Sequence, residues 1–104
     1  AGSYITKPVS FVVDTGASGM KYTVTQISSE DKAKIVETYN NFKLNPTSKP
    51  EYSTNYYYVE ITDNKGLLHA FFIFSDGTVC QNNTYFKPAN GKEMYNLIRQ
   101  CITI

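Results

Sequence analysis

Tryptophan is absent from this chain, histidine occurs once, cysteine twice, and the charges almost cancel at +1. Each scarcity excludes something. Two cysteines and one histidine fall short of the three or four ligands that a zinc site needs, so no metal or other cofactor is expected. The ten basic residues are scattered from Lys7 to Arg99, which gives nucleic acid no electrostatic footprint. No apolar run reaches the ~20 residues of a transmembrane segment, and the first residues lack the pattern of a secretory signal. Without repeats or low-complexity tracts, the 104 residues read as one domain, 1–104, long enough to bury a core of its own. Ala1-Gly2-Ser3 reads as an appended or trimmed start, which leaves room for a removed signal or lipid anchor.

What the chain has in quantity is tyrosine, nine residues, and β-rich sequence. Tyr-, Asn-, Thr- and Ser-rich sheets recur in exported bacterial proteins. The clearest structural signal runs from Tyr56 to Cys80. Two β-rich runs, Tyr56–Thr62 and Leu67–Phe74, flank Asp63-Asn64-Lys65-Gly66, whose glycine suits a bulged hairpin turn. Pairing Asp63 with Leu67 sets Tyr57, Val59 and Ile61 beside Ile73, Phe71 and His69 on one face, the expected core. Tyr56, Tyr58 and Glu60 then share the other face with Phe74, Phe72 and Ala70.

Upstream, Val9, Phe11 and Val13 alternate with polar neighbours, and Lys21–Ile27 alternates around Tyr22 and Val24. These predict two strands joined as a hairpin by the small, glycine-rich loop 15–19. Ser28 then caps a helix, with Asp31 at the capping-box position. Its apolar stripe is Ile35, Val36, Tyr39 and Phe42, and Glu30, Lys34, Glu37 and Asn41 face water. Asn45–Pro50, with two prolines, is an exposed connection. A further strand is expected over about 78–86, and Asn90 with Glu93 opens a second helix whose inner side carries Met94, Leu97, Ile98 and Cys101. The order β-β-α-β-β-β-α predicts an α+β fold: an antiparallel sheet of about five strands with two helices on one face.

With the Ile5–Pro8 lead-in, the Ser28-Ser29-Glu30-Asp31 helix start with Ile35-Val36, the Tyr57/Val59/Ile61 and Phe71/Ile73 strands, and Tyr95, Leu97 and Ile98 in the last helix, the chain resembles a family of small domains of unknown function in secreted or lipid-anchored cell-envelope proteins of Gram-positive bacteria. The chain departs from that family at the end of the last strand, where Tyr85, Phe86 and Pro88 are only loosely similar to its Tyr-rich, Pro-containing segment. The resemblance implies an extracellular or cell-envelope setting and supplies no catalytic residues.

Three features invite a chemical reading. Phe11–Ser18 contains Asp14-Thr15-Gly16-Ala17, which resembles the signature of aspartic peptidases. In those enzymes two aspartates share a proton, so a chain of this length would act as a homodimer of the retroviral type with Asp14 catalytic. The resemblance spans eight residues, neither a glycine-rich flap nor a later apolar pair running into glycine follows, and a hairpin loop accounts for the same residues. Cys80 and Cys101 would form a disulfide if a two-residue Asp76-Gly77 turn puts Cys80 on the core face; a three-residue bulged turn puts it on the opposite face. Such a bond, closing about 20 residues, would stabilise the fold by roughly 3 kcal/mol and imply export. Under the two-residue turn His69 shares the Cys80 face but lies too far along the strand from Ile73, the cross-strand neighbour of Cys80, to serve as its base, and Asn82-Asn83-Thr84 matches a glycosylation sequon of the kind that occurs by chance. The remaining feature is the aromatic face, Tyr56, Tyr58, Phe72 and Phe74, which marks a contact surface for a protein partner or for self-association. The expected function is therefore that of a noncatalytic binding module of an exported protein, with the Asp14 peptidase as the alternative.

Overall fold

The structure is a computed structural model that describes residues 5, 8–15, 20–22, 27–43, 45–50 and 55–102. Its elements in chain order are β1 (Pro8–Thr15), β2 (Met20–Tyr22), α1 (Ser29–Asn40), β3 (Tyr56–Asp63), β4 (Leu68–Phe74), β5 (Val79–Gln81), β6 (Thr84–Phe86) and α2 (Gly91–Ile102). All strands join one antiparallel sheet in the order β2-β1-β3-β4-β5-β6. The α+β class and the order of strands and helices follow the sequence reading. The expected last strand is folded on itself: Asn82 and Asn83 take positive φ values of 54° and 61°, the two-residue turn that asparagine tolerates best, and so 78–86 becomes the hairpin β5–β6.

The β3–β4 hairpin has the expected register, with Tyr57 opposite Ile73, Val59 opposite Phe71 and Ile61 opposite His69. Period-two alternation then divides the sheet into two faces. Phe11, Val13, Val59, Ile61, Phe71, Ile73 and Val79 are buried on the inner face against Ile35, Val36, Tyr39 and Phe42 of α1 and its exit, and Met94 and Ile98 of α2. Both helices thus cover the same side, and the shortest dimension of the molecule, 20 Å, is that of one sheet and one helix layer.

Local chemistry fixes the helices. The Ser28 hydroxyl accepts the Asp31 N–H at 3.1 Å, the expected N-cap, and Glu30, Lys34, Glu37 and Asn41 are exposed. The Asn90 side-chain amide donates to the Thr38 carbonyl at 3.0 Å, tying the start of α2 to the end of α1. Asn40 holds Ile5 by two backbone bonds, from Ile5 N–H at 2.9 Å and to its carbonyl at 3.0 Å. The 45–50 connection is exposed apart from half-buried Pro50, yet it closes the free edge of β6, since Thr47 N–H donates to the Tyr85 carbonyl and Lys87 N–H to that of Asn45.

Two expectations are corrected, and one choice left open is settled. Val9 is 68% exposed, because a bulge between Pro8 and Ser10 shifts the pairing with β3 and turns it away from the face of Phe11 and Val13. The β4–β5 turn takes the three-residue form: Phe74 N–H bonds the Thr78 carbonyl at 2.8 Å, Gly77 N–H bonds the Phe74 carbonyl at 2.9 Å, and Gly77 has φ 91°. Gly91 starts α2 against that loop, where a β-carbon would fall on the Gly77 carbonyl. Cys80 consequently lies opposite Phe72, on the outer face, while Cys101 packs beside the core on α2. The Cys80–Cys101 disulfide is therefore not formed, and both thiols are free. The glycine-rich loop 16–19, the strand extension 23–26 and residues 1–3 lie outside the described residues.

The register correction has a direct test. Denatured without reductant, each chain should take two iodoacetamide adducts; a mass with none would restore the disulfide and the two-residue turn.

Candidate functional site

Two places concentrate reactive or unusual side chains, one inside the core and one across the outer face. The inner one is built by the β3–β4 turn. Asp63 and His69 are both 3% exposed, and their side chains meet at 3.1 Å from Oδ2 to Nε2. The Oδ1 atom accepts the Lys65 N–H at 2.9 Å and the Leu67 N–H at 3.0 Å. The His69 hydrogen bond, aided by those two amides and the imidazole's charge, holds the Asp63 carboxyl below its ordinary value against the opposing effect of burial. The Tyr39 ring packs edge-on to His69 at 5.8 Å. This cluster is satisfied and closed, so its role is to hold the turn. His69 sits on the inner face and Cys80 on the outer, so no thiol–imidazole pair exists. Burial and the Asp31 carboxylate push the Cys101 thiol up, which leaves it a poor nucleophile.

The outer place is a single cross-strand row. Lys21, Asp14, Tyr58, Phe72, Cys80 and Tyr85 are successive ladder partners, one from each strand in sheet order. Tyr58 and Phe72 sit on the third and fourth of six strands, the midline of the sheet. Their ring centroids are 4.8 Å apart, and the Tyr56 ring lies 5.7 Å from Phe72 and 5.6 Å from Phe74. Phe72 is 37% exposed, Tyr56 and Tyr58 are half-buried, and Phe74 is tucked under Tyr56 and Tyr85 at 8%. All four predicted contact residues are therefore brought together, with Phe74 as the floor and the other three as the surface.

Cys80 was left open between the two faces by the Asp76-Gly77 turn, and Tyr85 depended on an unforeseen hairpin. Burial, followed by the neighbouring Cys80 thiol, raises the Tyr85 phenol above its ordinary value. Burial and the nearby Glu60 carboxylate raise that of Tyr58. Asp14, expected beside a loop, lies within the β1 ladder, half-buried, and its Oδ1 is buried without a hydrogen-bond partner.

No protein-family model, curated protein or solved structure matches this chain. The site must be read from its own geometry. Among the described residues no group of three His, Cys, Asp or Glu side chains converges, and no helix is long and apolar enough to cross a membrane. Two surface concavities, of about 530 and 630 Å³, lie along the helices; the first is lined by Thr38, Asn90 and Asn96, the second by Lys32, Val36 and Asn40, and neither includes a residue of the outer row.

Asp63 gives a pH prediction. A carboxyl whose folded value is depressed adds stability that is present above its unfolded value, about 3.9, and is lost as pH falls through the folded value. The wild type should lose thermal stability steeply below about pH 4, and Asp63→Asn should start less stable at pH 7 and show a flatter acid limb. Parallel acid limbs in scanning calorimetry would refute the assignment.

Proposed function

We propose that this domain is a noncatalytic interaction module whose contact surface is the outer sheet face, centred on Tyr58 and Phe72 with Tyr56 beside them and Phe74 beneath. One observation carries the reading: an aromatic cluster occupies the midline of a face that neither helix covers, and Phe72 remains 37% exposed there. Each aromatic side chain fully buried in a contact contributes about 1.5 to 3 kcal/mol before the cost of association is subtracted, so three suffice for a specific site. An exported, cell-envelope setting, with an anchor upstream, belongs to the same proposal; its support is the tyrosine-rich composition and the family resemblance, and the free thiols add none.

The alternative, a homodimeric aspartic peptidase, is supported by the orphaned Asp14 Oδ1 and by the Asp-Thr-Gly sequence around it. That reading predicts cleavage of unfolded protein that pepstatin blocks and Asp14→Asn abolishes. The interaction module shows no such cleavage.

Hydroxyl-radical labelling of the dilute, monomeric chain tests the proposal. Tyr58 and Phe72 should oxidise readily while inner-face Phe71 stays protected, and the pair Tyr58→Ser with Phe72→Ser should still fold cooperatively but lose about 2 to 3 kcal/mol, since Tyr58 is half-buried and the two rings pack on each other. Protection of Tyr58 and Phe72 in the dilute monomer would mean that the chain covers its own face, and would overturn the reading.

A further inference from the structure

We propose that Asn90-Gly91 is a site of spontaneous deamidation gated by the α1–α2 contact: the closed contact holds the pair unreactive, and opening of the start of α2 releases it. The inference does not involve the outer face and is independent of the interaction-surface reading.

The fold requires the two residues for separate reasons. Asn90 ties the helices together, its side-chain amide donating to the Thr38 carbonyl at 3.0 Å. Gly91 is set by space, since a β-carbon there would fall on the Gly77 carbonyl. Side by side they make the single Asn-Gly pair of the sequence. Asparagine is thermolabile in any chain, and most so before glycine, whose missing side chain leaves the attacking nitrogen unhindered.

The reaction consumes only water. The Gly91 nitrogen loses its proton to solvent and attacks Asn90 Cγ; the Cγ–Nδ2 bond breaks, and ammonia leaves with a proton taken back from solvent. Water then opens the cyclic imide at either carbonyl, giving aspartate or an isoaspartate whose backbone runs through the former side chain.

The closed contact resists the first of these steps. The Gly91 N–H donates to the Pro88 carbonyl at 3.1 Å, which shields its proton from base, and the bond to Thr38 holds the Asn90 carboxamide against α1. Attack on Cγ has to break both. Asn90 is nevertheless half-buried, on the wall of the ~530 Å³ cleft that it shares with Thr38 and Asn96, so water meets the pair as soon as the helices part there. Two hydrogen bonds and one glycine contact at a helix end are the kind of element that opens before a central sheet does. Neither product closes the contact again. An aspartate carboxylate has no proton to donate to the Thr38 carbonyl, and isoaspartate adds a backbone carbon where Gly91 already lies against Gly77. The modification therefore records opening: a chain whose α2 start has come loose stays loose.

Peptide mapping by mass spectrometry, on chains incubated at neutral pH either native or in urea, tests this. The denatured chain should gain the mass of amide-to-acid conversion at Asn90 ahead of every other asparagine, and the native chain should do so about ten- to a thousandfold more slowly, the suppression that a local opening gives. Gly77→Ala sets a β-carbon 3.0 Å from the Lys92 nitrogen and should speed the native reaction about tenfold, while Gly66→Ala, at a similarly positive φ but with nothing within 4 Å, should not. Hydrogen exchange on the wild type asks the same question without a variant: the Gly91 and Met94 amides should exchange faster than those of Val59 and Phe71 on the central strands. The deamidated chain, separated by its added negative charge, should melt below the unmodified one. Equal rates in native and denatured chains, equal acceleration by the two glycine variants, or a Gly91 amide as slow to exchange as that of Phe71 overturns the gate. A denatured chain unchanged at Asn90 overturns the site, and a deamidated chain that melts with the unmodified one overturns the lasting opening.

Discussion

Everything on both faces of this sheet depends on the hydrogen bonds gathered by Asp63. Its carboxylate takes the Lys65 and Leu67 amides and the His69 ring, while its backbone pairs with the Leu67 carbonyl and the Gly66 N–H. Five bonds from one residue leave the β3–β4 turn a single way to close. Because side chains alternate with period two, slipping that turn by one residue would carry Val59, Ile61, Phe71 and Ile73 from the core to water. A charge at 3% exposure would be costly without partners, and the partners here are the groups that define the turn. The buried charge therefore specifies the register that the core then stabilises.

This hairpin was legible in the sequence because Asp63-Asn64-Lys65-Gly66 offers one good solution and the flanking runs alternate in phase with it. Ser75-Asp76-Gly77 does not. Asp-Gly serves a two-residue or a three-residue turn equally well; the Asp76 carboxylate accepts the Thr78 N–H at 2.9 Å within the turn, and the close fit of Gly77 against Gly91 of α2 is a contact that no local window contains. Asn82-Asn83 carried a readable signal, since two adjacent asparagines are suited to paired positive φ values, but the strand-like Thr84-Tyr85-Phe86 after it continued the apparent strand. The Pro8/Ser10 bulge had no local signal beyond the proline. Helix starts were read well because capping is a local interaction, as the Ser28–Asp31 bond shows.

The same division governs the candidate site. Tyr56, Tyr58, Phe72 and Phe74 could be grouped from sequence because one hairpin places all four. The complete row needs four further pairings, Lys21 with Asp14, Asp14 with Tyr58, Phe72 with Cys80 and Cys80 with Tyr85. An error in any one of them removes a residue from the face, and the two-residue alternative for the 75–77 turn, left open by the sequence, is the one that would carry Cys80 to the core and allow a disulfide. Register errors thus propagate into chemistry: the same two thiols read as a covalent bond in one register and as a free pair, separated by the sheet, in the other.

The row also constrains what can bind. Its centre is apolar and aromatic, which favours any dry partner, but on β1 the Asp14 carboxylate keeps one buried oxygen without a donor. That oxygen is already out of reach of water in the folded chain, so its lost solvation belongs to the fold and not to any contact made on the face. What a cover over this face would change is the exposure of the rings: Phe72, at 37%, has the most apolar surface left to lose, and Phe74, at 8%, has almost none. The free energy available on the face is therefore concentrated on β3 and β4, the two strands whose register the Asp63 turn fixes.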